Sequence, residues 1–319
     1  MNTVPSQRQL GHLGGEMGGD TASEARYQPR HPFVAGGITG CLEICVTFPF
    51  EFVKVQLQLQ DEGKGPRFKG PWHCTSHTLR HNGPTGLYVG LPPWLTFALP
   101  RSAIRFTTFE RVSGWLQEGR GEVQTLNALT AGTVAGAVES ATCLTPLQNI
   151  QIKMTQDAVA PKRARIYRGF FHALTEIPRR EGLSAGFFSG LWPTVVKGAI
   201  NNCIRFGLYN EGARALRRAR GDAPDEPLGP GVVFGLGAVA GAVSAVVTHP
   251  IDTVKSNLQG LSGGKYSGSL DCARQILASG GVFGLFRGLT PRICRVCLEI
   301  GLQFSLYDTM CRVMDKTLG

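Results

Sequence analysis

The chain has 319 residues, 42% of them hydrophobic and only 18% charged, with 42 glycines. That apolar content excludes a disordered chain, and the absence of a Gly-X-Y period excludes a collagen-like one. Lys and Arg number 33 against 23 Asp and Glu, a formal net charge of +10, which implies anionic partners: nucleic acid, anionic lipid or a small anion.

Mean hydropathy is −0.02. This argues against uninterrupted greasy spans but allows helices that line a wet cavity. The nine cysteines are scattered, and Cys294 with Cys297 is the one CxxC. Zinc needs about four ligands, so no metal and no cofactor is expected. The thiols read as small hydrophobes in a reducing compartment. Residues 1–30 are polar and Gly-rich and carry Glu16, Asp20 and Glu24. They lack the apolar stretch of a secretory signal and the Arg-rich, acid-poor character of a transit peptide. The segment reads as a disordered tail.

From residue 31 onward the chain repeats. Pro49, Pro146 and Pro250 lie 97 and 104 residues apart. Each follows a pair of glycines four apart: Gly36 and Gly40, Gly132 and Gly136, Gly237 and Gly241. The gap from second glycine to proline is 9, 10 and 9 residues. An aromatic-X-Gly triplet follows each proline, at Phe68–Gly70, Tyr167–Gly169 and Tyr266–Gly268. A second triplet comes 20 or 21 residues later, at Tyr88–Gly90, Phe188–Gly190 and Phe286–Gly288. Three units result, at 31–118, 124–220 and 230–314.

Each unit predicts a helix, a loop with a short helix, and a second helix. The first helices contain the apolar stretches Phe33–Phe48, Thr125–Thr145 and Val232–His249. Each approaches the roughly 20 residues that span a bilayer. The glycine pairs suit close helix packing in lipid, and the prolines Pro49, Pro146 and Pro250 predict kinks. The second helices fall near 91–116, 191–218 and 289–314. The fold class is therefore an all-α membrane protein with six transmembrane helices in three pseudo-symmetric αα repeats. A soluble basic helical-repeat protein binding nucleic acid is the rival class. Its units of about 34–47 residues fit poorly, and its charges belong on an exposed stripe. No motif supports an enzyme.

After the first proline the chain reads Pro49-Phe50-Glu51-Phe52-Val53-Lys54, and after the third Pro250-Ile251-Asp252-Thr253-Val254-Lys255. An acid two residues past a kink and a base three further on sit near a helix end. With threefold pseudo-symmetry, acids of one unit can pair with bases of the next and close a pathway. The second unit reads Pro146-Leu147-Gln148-Asn149-Ile150-Gln151. Losing both charges together leaves neutral hydrogen-bonding groups rather than an uncompensated ion.

A second basic set lies within the second helices: Arg101 and Arg105, then Lys197 and Arg205 with Asn201 between, then Arg292 and Arg295. Spacings of three, four and eight put each pair on one helix face. A charge at mid-bilayer costs about 2.5–3.5 kcal/mol, so six facing lipid would cost roughly 15–20 kcal/mol. They must face water or carboxylates. Two bases from each of three helices suit a di- or tricarboxylate, which guanidinium forks hold bidentately.

These repeats and their Pro-X-acid-X-X-base motifs resemble the mitochondrial carrier family, over about residues 31–314. The resemblance implies a multi-pass, monomeric antiporter of the mitochondrial inner membrane that works by alternating access. It also implies a matrix gate of Glu51, Lys54, Gln148, Gln151, Asp252 and Lys255, with cardiolipin at the helix ends on that side and no nucleic acid. By the family's arrangement Asp252 pairs with Lys54, Glu51 faces Gln151 and Gln148 faces Lys255. Gln58 and Gln259 match the braces beneath such a gate, while Thr155 does not. At the opposite gate, Phe109-Glu110 and Tyr307-Asp308 match the motif. Their basic partners are replaced by Ser113, Ala213 and Cys311, and Asn210 stands at the acidic position of the second unit.

Pro100–Phe106, Leu42–Cys45, Arg168–His172 and Pro291–Glu299 resemble the citrate-carrying members. That implies exchange of citrate or isocitrate for malate or another dicarboxylate, with the basic set as substrate ligands. A dicarboxylate or 2-oxo acid such as succinate, fumarate or 2-oxoglutarate is the alternative, because Gly198 stands beside Lys197 where those members have a polar residue. Glu43 and Glu139 each sit three residues past a glycine pair. Each either carries a proton that accompanies citrate or neutralises a cavity arginine. Glu299, four residues past Arg295, is expected to orient it.

Overall fold

A computed structural model describes residues 32–60, 68–119, 124–160, 165–221 and 228–302. The expected tail at 1–30, the end of the third unit, and Tyr307, Asp308 and Cys311 lie outside the described residues. No strand occurs among those described.

In chain order the helices are α1 (Pro32–Gln58), α2 (Pro71–Asn82), α3 (Leu91–Gly119), α4 (Gln124–Glu139), α5 (Thr145–Asp157), α6 (Phe170–Glu181), α7 (Leu183–Phe188), α8 (Leu191–Arg220), α9 (Pro230–Gln259), α10 (Ser269–Leu285) and α11 (289–302). At 1.5 Å per residue the 30 residues of α8 or α9 run about 45 Å, enough to cross a bilayer. Among the described residues one helix, Gly231–Gln259, also passes a hydropathy test for a span, at 2.0.

Pro49 lies inside α1 and Pro250 inside α9. The second unit differs. A π-turn, Ser140–Leu144, separates α4 from α5. The Thr145 amide reaches back to the Ser140 carbonyl, and the Thr145 hydroxyl donates to the same oxygen at 2.6 Å. This explains the spacing of 10 rather than 9 before Pro146. A one-residue insertion into a helix is absorbed as a π-bulge, which keeps both flanking helical faces in register. Glu139 is the residue before the bulge.

The apolar core lies at the proline end. Phe48, Phe52, Val53 and Leu57 of α1 pack with Phe68, Cys74 and Leu87 and reach Ala158 and Val159 of the next unit. Ile150 and Met154 of α5 pack with Tyr167, Phe170, Ala173 and Ile177. The aromatic of the first triplet thus plugs the space between the long helix and the short surface helix; each such side chain stabilises by about 1.5–3 kcal/mol. Burial, with the carboxylates of Glu181 and Asp157, pushes the Tyr167 phenol up to about 12. Burial likewise pushes the Cys272 thiol of α10 up to about 12, so it is inert.

The glycine of the second triplet closes the ring of units. A Cβ on Gly90 would lie 2.5 Å from the Thr155 hydroxyl of the second unit. One on Gly190 would meet Gln259 of the third at 3.1 Å, and one on Gly288 the Lys54 carbonyl of the first at 2.9 Å. Gly190 and Gly288 also have φ of 70° and 80°, which glycine adopts at no cost. The expectation for the glycine pairs is corrected. At Gly40, Gly132, Gly136 and Gly237 nothing lies within 4 Å of an added Cβ, whereas Gly241 meets Val296 at 3.2 Å and Ile300 at 3.3 Å. Close approach occurs instead at the triplet glycines, where the long helices converge.

Candidate functional site

Asp252 is 1% exposed and sits at the centre of a cationic cluster. Its Oδ2 lies 2.8 Å from Lys54 Nζ of the first unit and 3.2 Å from Arg292 Nη1 of α11, and its Oδ1 binds Lys197 Nζ of α8. One carboxylate therefore holds one gate lysine and two members of the basic set. Arg292 is further oriented from α9. Its Nη2 donates to Thr248 Oγ1 at 2.7 Å, and its Nη1 lies 3.4 Å from His249 Nδ1. His249 Nε2 is 2.9 Å from the Arg287 carbonyl. A carbonyl only accepts, so Nε2 carries the proton and Nδ1 is the acceptor for Arg292. Sequence reasoning missed Thr248 and His249; their place directly before Pro250 was the available signal.

Glu51 lies 3.1 Å from Lys54 on its own helix and accepts from Arg295 Nη1 at 2.6 Å. Arg295 Nε is also 3.9 Å from Glu299. This corrects the expectation that Glu51 faces Gln151: a guanidinium from α11 outcompetes a neutral amide for a buried carboxylate. The expected Gln148–Lys255 contact is likewise not formed. Gln148 Oε1 and Gln151 Nε2 are buried without a hydrogen-bond partner. Lys255, 4% exposed, has no carboxylate within 4 Å among the described residues.

The gate is therefore uneven. Between units three and one it is ionic and braced: Gln58 accepts from Ser256 at 2.8 Å, and its carbonyl accepts from Asn257 at 3.0 Å. At the gate, units one and two are joined by neutral groups and one half-buried arginine. Gln56 Nε2 donates to the Thr155 carbonyl, Asn82 Nδ2 to the Ala158 carbonyl at 3.1 Å, and Arg165 to Asn82 Oδ1 at 2.7 Å. Units two and three meet through the Lys197–Asp252 ion pair, through Gln259 Nε2 on the Ser189 carbonyl at 3.2 Å and through Gln156 Oε1 on the Leu261 amide at 2.6 Å.

Further along the helices, positions 11 residues past the triplet glycine face positions 3 past the glycine pair. Arg101 Nε lies 2.5 Å from Glu139 Oε1, with Arg105 3.8 Å from Oε2, and the Arg101 guanidinium sits 5.3 Å over Trp94. Ser244 Oγ donates to Asn201 Oδ1 at 2.5 Å. The same register sets Glu43 toward Glu299. Arg205 is half-buried and makes no ion pair among the described residues. At the opposite gate Glu110 is exposed, with no ion pair among the described residues, and Ala213 is packed with Leu228 and Val233.

Two long helices per unit, a threefold ring of equivalent contacts and a cationic pocket closed by acids past a proline define a family. The sequence pattern of the Mitochondrial carrier protein family matches residues 26–120, 121–220 and 226–317, and the chain belongs to that family. It is 38% identical over 291 residues to the mitochondrial tricarboxylate transport protein of Bos taurus, covering 90% of this chain and 91% of that one. The Homo sapiens protein of the same name is 38% identical over 289 residues, covering 90% and 91%. The Saccharomyces cerevisiae tricarboxylate transport protein is 32% identical over 291 residues, covering 90% and 96%.

Proposed function

We propose that the chain is an antiporter of the mitochondrial inner membrane that exchanges citrate or isocitrate for malate or another dicarboxylate. Six membrane-spanning helices would carry it, and one chain would be the working unit. The relatives named for tricarboxylate transport support this reading, as does one observation above all. Cations outnumber acids at the proline end, where Lys54, Lys197, Lys255, Arg292 and Arg295 surround Glu51 and Asp252.

The pairings suggest how binding opens the gate. A substrate carboxylate that takes Lys197 and Arg292 removes two of the three cations on Asp252. One that takes Arg295 leaves Glu51 with Lys54 alone. Substrate binding then offsets the cost of breaking the ring, and the repeats rock about their prolines. No bond is made or broken. Arg101, Arg105, Asn201 and Arg205 would hold the remaining carboxylates. Glu139 would neutralise Arg101 until substrate replaces it, while Glu43 and Glu299 are the acids placed to take up a proton or balance Arg295.

Cardiolipin is the lipid proposed at the proline end. α2, α6 and α10 begin after Gly70, Gly169 and Gly268 without a side-chain cap, leaving amides for phosphate. The second residue of each helix, Trp72, Phe171 or Leu270, is 84, 79 or 80% exposed, as an interfacial anchor would be.

Purified protein in liposomes loaded with citrate, malate or buffer tests the function. Uptake of labelled citrate that requires an internal acid is expected. Gly198 has open space around it and favours a second reading, a dicarboxylate carrier. Under that reading malate or succinate competes and citrate does not. A further expectation concerns the uneven gate. Gln148→Glu adds a carboxylate at the position the family arrangement sets opposite Lys255; if it draws Lys255 into a pair, about 1.4 kcal/mol of added closure slows exchange roughly tenfold. An unchanged rate would show that the added carboxylate does not reach Lys255.

A further inference from the structure

The short helix α2 carries three histidines, His73, His77 and His81, at four-residue spacing. At about 100° per residue they fill roughly 80° of its circumference. The helix has two other faces. Cys74 and Thr78 are its buried residues, and the exposed apolar Trp72 and Leu79 stand about 140° and 160° from His77. The histidine face is thus neither the core face nor the apolar face: His73 and His81 are exposed, and His77 is half-buried with its Nδ1 enclosed.

The rings form a ladder. His77 and His81 stack with centroids 4.2 Å apart and planes 20° apart, and His73 follows at 6.3 Å from His77. The Phe68 ring lies 5.9 Å from His73 and 5.5 Å from His77 and holds that end. His81 Nδ1 lies 2.9 Å from the His77 carbonyl. A carbonyl only accepts, so Nδ1 carries the proton, and the basic lone pair of His81 sits on the outward Nε2. A backbone acceptor on one ring nitrogen is how metal-ligating imidazoles are oriented and their tautomer set.

We propose that His77 and His81 chelate a borderline divalent transition-metal ion, Zn²⁺, Ni²⁺ or Cu²⁺, on the water-facing side of α2. Two imidazoles four residues apart on one helix face are a bidentate pair, and imidazole suits these metals rather than Mg²⁺ or Ca²⁺. No cluster of three or more ligating side chains is placed for chelation among the described residues. Water therefore completes the coordination, and binding is reversible rather than structural. Chelation requires the His81 ring to leave its stack on His77, so that the two lone pairs, now in nearly parallel planes, converge on one ion. This site is independent of the transport reading, since it shares no residue with the carboxylate-binding set.

The test uses full-length protein in detergent with accessible thiols alkylated, so that the exposed Cys41, Cys203, Cys294 and Cys297 do not compete. Ni²⁺ alone is titrated by calorimetry, with competition by Zn²⁺. One ion per chain is expected, with affinity falling roughly tenfold or more in His77→Gln and in His81→Gln. His172→Gln, an exposed histidine on α6, is expected to leave it unchanged, and far-ultraviolet circular dichroism should show all variants folded. Absence of binding overturns the site. So does equal loss in His172→Gln, or full affinity in His81→Gln.

Discussion

Asp252→Asn is expected to reduce exchange by roughly a hundredfold or more. The substitution leaves Lys54, Lys197 and Arg292 around a neutral amide, and breaking a buried pair costs about 3–5 kcal/mol. At 1.36 kcal/mol per tenfold, that range covers about two to four decades. The informative variant is the double one. In a gate of simple pairs, adding Lys54→Gln to Asp252→Asn removes the uncompensated charge and restores activity. In the shared arrangement two cations still face the amide, so the double variant stays inactive. Exchange in liposomes, alongside thermal unfolding, distinguishes the two; recovery would mean that Lys197 and Arg292 do not depend on Asp252.

The second large effect falls on stability. Lys153 is fully buried in α5; its ammonium donates to Glu181 at 2.5 Å and to the Gly186 carbonyl at 3.0 Å. Glu181 keeps about a third of its side chain exposed. Glu181→Gln therefore strands a buried cation and is expected to cost about 3 kcal/mol, the lower end of the range for such pairs. Lys153→Met leaves the acid in water and the space filled by an apolar chain, and should cost under half of that. Thermal unfolding followed with a thiol-reactive dye would show the asymmetry. Equal losses would mean that the pair, not the buried lysine, sets the cost.

Much of this protein was determined by local sequence. Threefold spacing of prolines, glycines and aromatic-X-Gly triplets is one-dimensional information, and it specifies three helical units because equivalent residues solve the same packing problem three times. The extra residue before Pro146 was also visible as a spacing of 10 against 9. The six cations were legible because a charge inside an apolar helix needs a reason to be there.

Tertiary structure alone decided who meets whom. Family arrangement paired Glu51 with Gln151 and Gln148 with Lys255, yet Glu51 takes Arg295 and Lys255 takes no acid among the described residues. The reason is competition. A carboxylate in low dielectric takes the strongest donors within reach, and donors from α8 and α11 arrive only once the bundle has closed. Thr248 and His249 act through Arg292, 43 or more residues away, a distance that no local pattern spans. The glycine pairs advertised contact in lipid, but whether an added Cβ meets a neighbour depends on how far the helices splay, and only Gly241 of the described pairs is crowded. Residue type determined what each position could do; the convergence of three helix pairs determined which of those options was used.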